Sequence, residues 1–341
     1  MKRKFKFLSI IMAVLTLLLL AACGNKEEAG TSSSGKEKGG LNDIFLGNVT
    51  TGSNTAESYA FAAGIANIVQ KEHPNVQLTV QTSGGGTENL SRLAAGEAQL
   101  GVLYSPNIDA AKAGEGNGAD KINEMKGIFA WDYAAFNLIV KADSGIKTVE
   151  DLKGKSIAVG APGSTGAVYV WPSVLPEFGI TEKNSDWKYL TQSAAATALA
   201  DGSVDAITAG SKGKISAIEE LSLSHDLLWL ELGGEKRENA IKIGHGMFAT
   251  EGDPNLYGDK QVNDKPIPTV GMSAVFAVRA DVDEEVVYNI TKSLFENLET
   301  FYESHSSAKE VTIESTLNPE LMRLDLHPGA EKYFKEIGAI K

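Results

Sequence analysis

Ser83-Gly84-Gly85-Gly86-Thr87-Glu88-Asn89 is the stretch whose reading decides the fold. Before it, residues 76–80 place Val76, Leu78 and Val80 at alternate positions, the period of a strand. After it, Leu90-Ser91-Arg92-Leu93-Ala94-Ala95-Gly96 has helical spacing. The unit is therefore strand, glycine turn, helix start. Glycines there let the backbone come close to a ligand, and Ser83 and Thr87 add hydroxyl donors and acceptors. The free N–H groups of a helix start favour an anionic group such as a carboxylate or phosphate. A single loop of this kind needs no more explanation than a tight turn, so its neighbours carry the argument.

Two further strand ends sit beside it. Residues 43–48 read as a short strand running into Thr50, Thr51, Gly52, Ser53 and Asn54. Residues 99–103 read as a third strand ending at Tyr104-Ser105-Pro106. In open α/β sheets ligands bind outside the carboxyl ends of the strands, where these polar loops converge. A helix follows the first loop, with Tyr59, Ala62, Ala63, Ala66 and Val69 three or four apart. Asn54 with Glu57 three positions later is a capping-box-like signature, which gives Glu57 a structural role beside a ligand role. Further along, residues 156–159 form a strand ending in Gly160-Ala161-Pro162-Gly163-Ser164-Thr165-Gly166, a second strand–glycine turn–helix unit. Its helical stretch is broken or kinked by Pro172. Residues 204–208 form a strand ending at Ala209-Gly210-Ser211. The apolar runs 136–141 and 270–279 read as two crossings between halves of the chain. The expectation is an α/β protein of two lobes: residues 41–135 and 272–341 in lobe 1, and 136–271 in lobe 2. A ligand cleft lies between them, closed by a hinge.

The chain has 341 residues, room for two proper cores, and a formal charge of −12 with Lys2, Arg3, Lys4 and Lys6 at its extreme N-terminus. The rest is more acidic still, which argues against nucleic acid as partner. One cysteine allows no intrachain disulfide. His73, His225, His245, His305 and His327 are scattered, so neither a metal site nor a cofactor is expected. Residues 1–22 read as a signal peptide, a basic start followed by an apolar run over 7–22 that is short for a membrane span. It ends in Leu20-Ala21-Ala22-Cys23-Gly24, which resembles a bacterial lipoprotein box and implies cleavage before Cys23 and a lipid on its thiol. Residues 24–40 are mainly Gly, Ser, Lys and Glu, so 23–40 is a lipid-anchored flexible tether. The folded part is then held, as a monomer, on the outer face of the cell membrane.

From about Ile44 to the C-terminus the chain resembles the TAXI family, the TRAP-associated extracytoplasmic immunogenic proteins that serve TRAP transporters as solute receptors. The residues that carry the resemblance are Ser83-Gly84-Gly85 with Glu88-Asn89-Leu90, and Leu93-Ala94-Ala95-Gly96-Glu97-Ala98. Further matches are Asp151-Leu152-Lys153-Gly154-Lys155, Val159-Gly160-Ala161-Pro162-Gly163-Ser164, Thr269-Val270-Gly271 and Leu326-His327-Pro328-Gly329-Ala330. The resemblance implies a type II periplasmic-binding-protein fold. It also implies capture of a small carboxylate or amino-acid-like solute, and delivery to an ion-gradient-driven membrane permease without chemistry on the ligand. Carried over by position, ligand contacts fall on Thr51, Gly52, Ser53, Asn54, Tyr59, Ser83, Gly84, Gly85, Tyr104, Ser105, Gly163, Ser164, Thr165 and Gly210. The first loop departs from the family pattern at Thr55-Ala56, where two glycines are usual, at Ala60 in place of a common proline, and at Glu57 in place of a small polar residue. A Glu57 that faced the cleft would pair with a ligand amino group, which favours a glutamate-like solute.

Other classes fit less well. Neither glycine loop has dinucleotide spacing, Gly154-Lys155-Ser156 lacks the upstream glycine of a phosphate loop, and no nucleophile elbow occurs, so an enzyme is not expected. A receptor for an ATP-driven importer, or for a sensory system, would share the fold. Trp131 and Tyr133, just before a crossing strand, could stack on a ligand but read first as packing residues, and Trp171 and His327 read as structural.

Overall fold

The computed structural model describes residues 43–54 and 56–341. The segments expected as signal peptide and tether, with the expected lipidation site Cys23, lie outside them. Residues 41–341 form one compact unit.

Ten strands make one sheet: β1 Phe45–Thr50, β2 Val76–Gln81, β3 Leu100–Tyr104, β4 Met125–Lys141, β5 Ser156–Gly160, β6 Asp186–Tyr189, β7 Ala206–Gly210, β8 Leu227–Leu230, β9 Met247–Gly252 and β10 Ile267–Arg279. The order β2-β1-β3-β10-β4 makes the first part, with β1 parallel to β2 and β3 and with β10 antiparallel to β3 and β4. The second part repeats the arrangement. There β5 lies parallel between β6 and β7, and the far half of β4 lies antiparallel between β7 and β8. Only β4 and β10 belong to both parts, and β9 pairs with the near end of β10. Their lengths, 17 and 13 residues, are what a strand needs to serve two layers in turn.

β4 begins well before the run 136–141 that the sequence suggested as a crossing. Just before that run lies a bulge: Met272 faces Ala134 and Ser273 faces Asp132, so Tyr133 has no partner on β10. A bulge kinks the strand and turns the extra side chain off the regular face. Helix Gly234–Ile243 and β9 were not signalled, because the helix is mostly polar and buries only Ala240. The helical stretch after Thr165 opens with a π-turn over Gly166–Val170, in which the Trp171 amide reaches back to the Gly166 carbonyl. The wide turn just before Pro172, which has no amide to donate, is the form the expected break takes. The long C-terminal helix is split at Asn297 into Glu284–Glu296 and Leu298–Tyr302.

The core under the first part is aromatic. Phe129 and Phe276 stack at 5.0 Å between centroids, Phe61 packs on Trp131 at 5.1 Å, and Phe301 closes edge-on against Phe61. All five are fully buried. This slab fixes helix Glu57–Glu72 against the sheet, and with it the loop that precedes the helix.

Candidate functional site

The three loop-bearing strand ends of the first part are tied together by one side chain. Asn89, fully buried, donates from Nδ2 to the carbonyls of Thr51 (2.6 Å) and Val102 (2.8 Å), and its Oδ1 accepts from the Thr50 hydroxyl at 2.7 Å. Ser83 completes the clamp, its hydroxyl lying 2.7 Å from the Thr51 carbonyl and 2.6 Å from Asn89 Oδ1 while accepting the Gly85 amide at 2.9 Å. The loops around β1, β2 and β3 are thus one rigid rim. Gly85 opens helix Gly86–Ala95 at φ 114°, a conformation that suits glycine alone. A Cβ on Gly86 would lie 2.2 Å from Asn107 Oδ1 and 2.7 Å from Thr165 Oγ1, so the two rims meet there with no room for a side chain.

They are also bonded. The Thr165 hydroxyl of the second part donates to Asn107 Oδ1 at 2.6 Å, and Asn107 Nδ2 donates to Thr87 Oγ1 at 3.1 Å. The Ser105 hydroxyl donates to the Gly246 carbonyl at 2.6 Å and accepts the Ser273 amide at 3.1 Å. At the outer edge His245 Nε2 lies 3.2 Å from Glu115 Oε2. Behind these contacts lies a cavity of about 290 Å³. Two larger grooves, of about 480 and 800 Å³, are each lined from one part of the sheet alone, whereas this cavity takes its walls from both.

Of the residues expected at a ligand, Gly52, Ser53, Ser83, Gly84, Gly85, Tyr104, Ser164, Thr165 and Gly210 line the cavity. Thr51, Asn54, Glu57, Tyr59, Ser105 and Gly163 do not. Thr51 spends its hydroxyl on the Gln81 carbonyl at 3.0 Å, and Ser105 is the rim contact just described. Asn54 is exposed and does not cap: helix Glu57–Glu72 starts at Ala56 without a side-chain cap, so the capping box is absent. Glu57 plays neither expected role. Its side chain is buried beneath the rim, accepting the Trp131 indole N–H at 2.9 Å, with His305 Nδ1 4.0 Å from the other oxygen. Burial pushes its pKa up to about 7, against the opposing bonds from Ser307 and Trp131. The glutamate-like preference therefore loses the acid that motivated it.

Sequence reasoning missed most of the far wall, and of its residues only Tyr133 had a ligand role in view. Tyr133, Phe136, Trp171, Thr191, Gln192 and Thr208 all line the cavity. Tyr133 arrives through the bulge and packs its ring on Tyr104 at 4.8 Å, while Phe136 meets the edge of Trp171 at 5.9 Å. Gln192 is the first residue of helix Gln192–Asp201, and its Nε2 is buried without a hydrogen-bond partner. A helix beginning straight after a strand was the available signal. Burial raises the pKa of both Tyr104 and Tyr133, so both stay protonated donors at neutral pH. Among the described residues no group of three or more His, Cys, Asp or Glu could hold a metal ion.

Two mirrored α/β parts, sharing two long strands and enclosing a small cavity between glycine-rich strand ends, define a binding protein of the type II periplasmic class. The chain matches the NMT1-like family over residues 49–338 and belongs to it; this family corresponds to the TAXI, TRAP-associated substrate-binding proteins. It is thus an extracytoplasmic solute-binding protein, of a non-enzymatic class, that takes a small molecule.

Solved structures similar to it include three sulfonate and phosphonate receptors. The alkanesulfonate-binding protein SsuA from Xanthomonas axonopodis pv. citri, bound to MOPS, is 18% identical, covering 76% of this chain and 79% of that one, with a TM-score of 0.44. The aliphatic sulphonate binding protein SsuA from Escherichia coli is 17% identical over 77% and 74%, with a TM-score of 0.43. A binding protein component of an ABC phosphonate transporter from Pseudomonas aeruginosa is 14% identical over 79% and 80%, with a TM-score of 0.49.

Proposed function

We propose that this chain captures a small carboxylate-bearing solute outside the cytoplasmic membrane and hands it, unaltered, to the membrane subunits of a TRAP permease driven by an ion gradient. The observation that carries the reading is the cavity itself, walled by Gly84, Gly85 and Gly86 on one side and Gly160, Ser164, Thr165 and Gly166 on the other. The hydroxyls of this wall and the unpartnered Gln192 Nε2 suit an oxyanion, while the Gly84 and Gly85 amides are already taken by Glu88 and Ser83. We take the hinge to lie in β4 and β10, with lobes of residues 41–135 with 272–341 and of 136–271. A permease would then read the difference between open and closed lobes. An ATP-driven importer or a sensory kinase would use the same receptor movement. The family membership is what favours the gradient-driven partner.

The membrane attachment rests on the sequence: cleavage before Cys23, a lipid on its thiol, and residues 24–40 as tether. Among the described residues no helix is long and apolar enough to cross a membrane. Expressed in a bacterial host, the Cys23→Ser variant should leave the membrane fraction and appear in soluble form, and persistence in the membrane would remove the anchor. A thermal-shift screen of mono- and dicarboxylates tests the binding reading. A true ligand raises the melting temperature by mass action and is recovered with its mass unchanged. A converted product would refute it.

A further inference from the structure

The two rims also meet beside the cavity, through residues none of which lines it. On the first part is the loop Gly114-Glu115-Gly116-Asn117-Gly118, just beyond helix Ser105–Lys112. On the second is the turn Gly244-His245-Gly246, between helix Gly234–Ile243 and β9. Three contacts cross here. The Ser105 hydroxyl donates to the Gly246 carbonyl at 2.6 Å. His245 Nε2 lies 3.2 Å from Glu115 Oε2. Tyr169, from the π-turn, meets the His245 ring edge-on at 6.3 Å, and its hydroxyl lies against Gly116, where an added Cβ would be 2.9 Å away. Gly246 shows how close the fit is. It stands at φ 57°, and a Cβ on it would lie 2.4 Å from the Ser105 carbonyl atoms and 2.8 Å from the Pro106 nitrogen, main-chain atoms that cannot step aside.

All of these contacts cross from one part to the other, so they are lost together when the parts separate. His245 is the member whose strength can change. A neutral imidazole meets Glu115 with at most a neutral donor, whereas the protonated ring sets a full charge against the carboxylate. The other charged groups on the neighbouring elements are engaged elsewhere or face solvent. On the helix before the turn, Lys236 pairs with Glu150 and Arg237 with Glu238, while Glu235 and Lys242 are exposed. On helix Ser105–Lys112, Asp109 pairs with Arg323 and Lys112 bonds to the Arg323 carbonyl. Burial and the Glu115 carboxylate both raise the Tyr169 pKa, so that phenol stays neutral. Among the described residues Glu115 is the one carboxylate paired with His245.

Resting on the two-lobe movement taken above, we propose that the Gly114–Gly118 loop and the Gly244–Gly246 turn form a latch between the lobes, fastened by Ser105 and tightened when His245 is protonated. A more acid medium then favours the closed form and slows the escape of the solute, whatever that solute is. The latch touches no ligand, so it sets how long the cavity stays shut and leaves the choice of ligand to the walls.

The full chain in a mild detergent tests this without any ligand. Thr208→Cys puts a reporter thiol at a buried position of the cavity wall. Its labelling by N-ethylmaleimide, read by mass spectrometry of the peptide that holds it, follows the fraction of time the cavity is open. Each variant is compared with the reporter chain at the same pH, which cancels the pH dependence of the thiol. His245→Gln should label like the reporter chain at pH 8 and about two- to fivefold faster at pH 5, the range open to a part-exposed ion pair. Gly246→Val should label roughly fivefold faster or more at both pH values, because its side chain cannot enter the Ser105 main chain. If Gly246→Val fails to fold by circular dichroism, His245→Gln, a change at the surface, still decides. Equal labelling of His245→Gln and the reporter chain at pH 5 would overturn the proposal, as would a folded Gly246→Val that labels no faster. Thr165→Val, which cuts the bond to Asn107, then separates the two failures. Faster labelling there would leave the lobes moving without this latch, and unchanged labelling would bring down the two-lobe movement as well.

Discussion

Glu57 gives the sharpest test of how the rim is supported. It stands at the first position of helix Glu57–Glu72 with its carboxyl buried between Trp131 and His305. Burial carries its pKa from an ordinary 4.5 to about 7. The sign follows from linkage. Below about pH 4.5 the group is protonated in both folded and unfolded chains and contributes nothing. As pH rises from 4.5 to 7 the unfolded chain releases the proton while the folded chain keeps it, so stability falls. Above 7 both are ionised and the loss stays constant. A shift of this size corresponds to roughly 3 kcal/mol. Glu57→Gln keeps an oxygen to accept the Trp131 N–H and removes the titration. Urea unfolding at pH 4, 6 and 8 should show the variant near parity at pH 4 and more stable than the parent by roughly 2–3 kcal/mol at pH 8. His305, whose pKa burial lowers, destabilises the fold as pH falls below its ordinary value, and because it lies 4.0 Å from Glu57 the comparison is repeated in a His305→Asn background, where the same pH dependence should appear. Parallel pH profiles for parent and variant would refute the reasoning.

Other substitutions separate support from contact. Asn89→Leu should destabilise by about 2–4 kcal/mol in urea unfolding, because it takes the partners of the Val102 carbonyl and the buried Thr50 hydroxyl; a loss below 1 kcal/mol would show that the clamp is dispensable. Ser83→Ala should lower stability and ligand affinity together, since its hydroxyl closes on Thr51, Asn89 and Gly85. Ser164→Ala, whose hydroxyl accepts only the Ala167 amide at a long 3.3 Å, should instead cost about 1 kcal/mol of binding with the melting temperature nearly unchanged. Thr165→Val cuts the bond to Asn107 and should enlarge the ligand-free protein in small-angle X-ray scattering and weaken binding several-fold; identical scattering curves would exclude a closing role.

Much of this was readable before any coordinates. The alternation at Val76, Leu78 and Val80 and the glycines that follow gave the first rim, and the repeat at Gly160–Gly166 gave the second, because strand period and glycine turns are local properties of the chain. The resemblance to the TAXI family then agreed with the family match. What stayed hidden depends on distant partners. Glu57 looks like a cap or a ligand contact until Trp131, 74 positions away, is seen to take its carboxyl. Tyr133 looks like packing until the register shift against Met272 and Ser273 turns it into the cavity. Asn89 looked like part of a motif, and its three bonds show it to be the tie between strand ends.

The most direct test is a crystal structure with a captured carboxylate. It should show the carboxylate oxygens between the Gly84–Gly86 loop and the Gly160–Gly166 loop, within hydrogen-bond distance of the Ser164 hydroxyl and of Gln192 Nε2, with Thr165 still bonded to Asn107. A carboxylate seated instead in an outer groove, with the space between the loops left to water, would contradict the central claim.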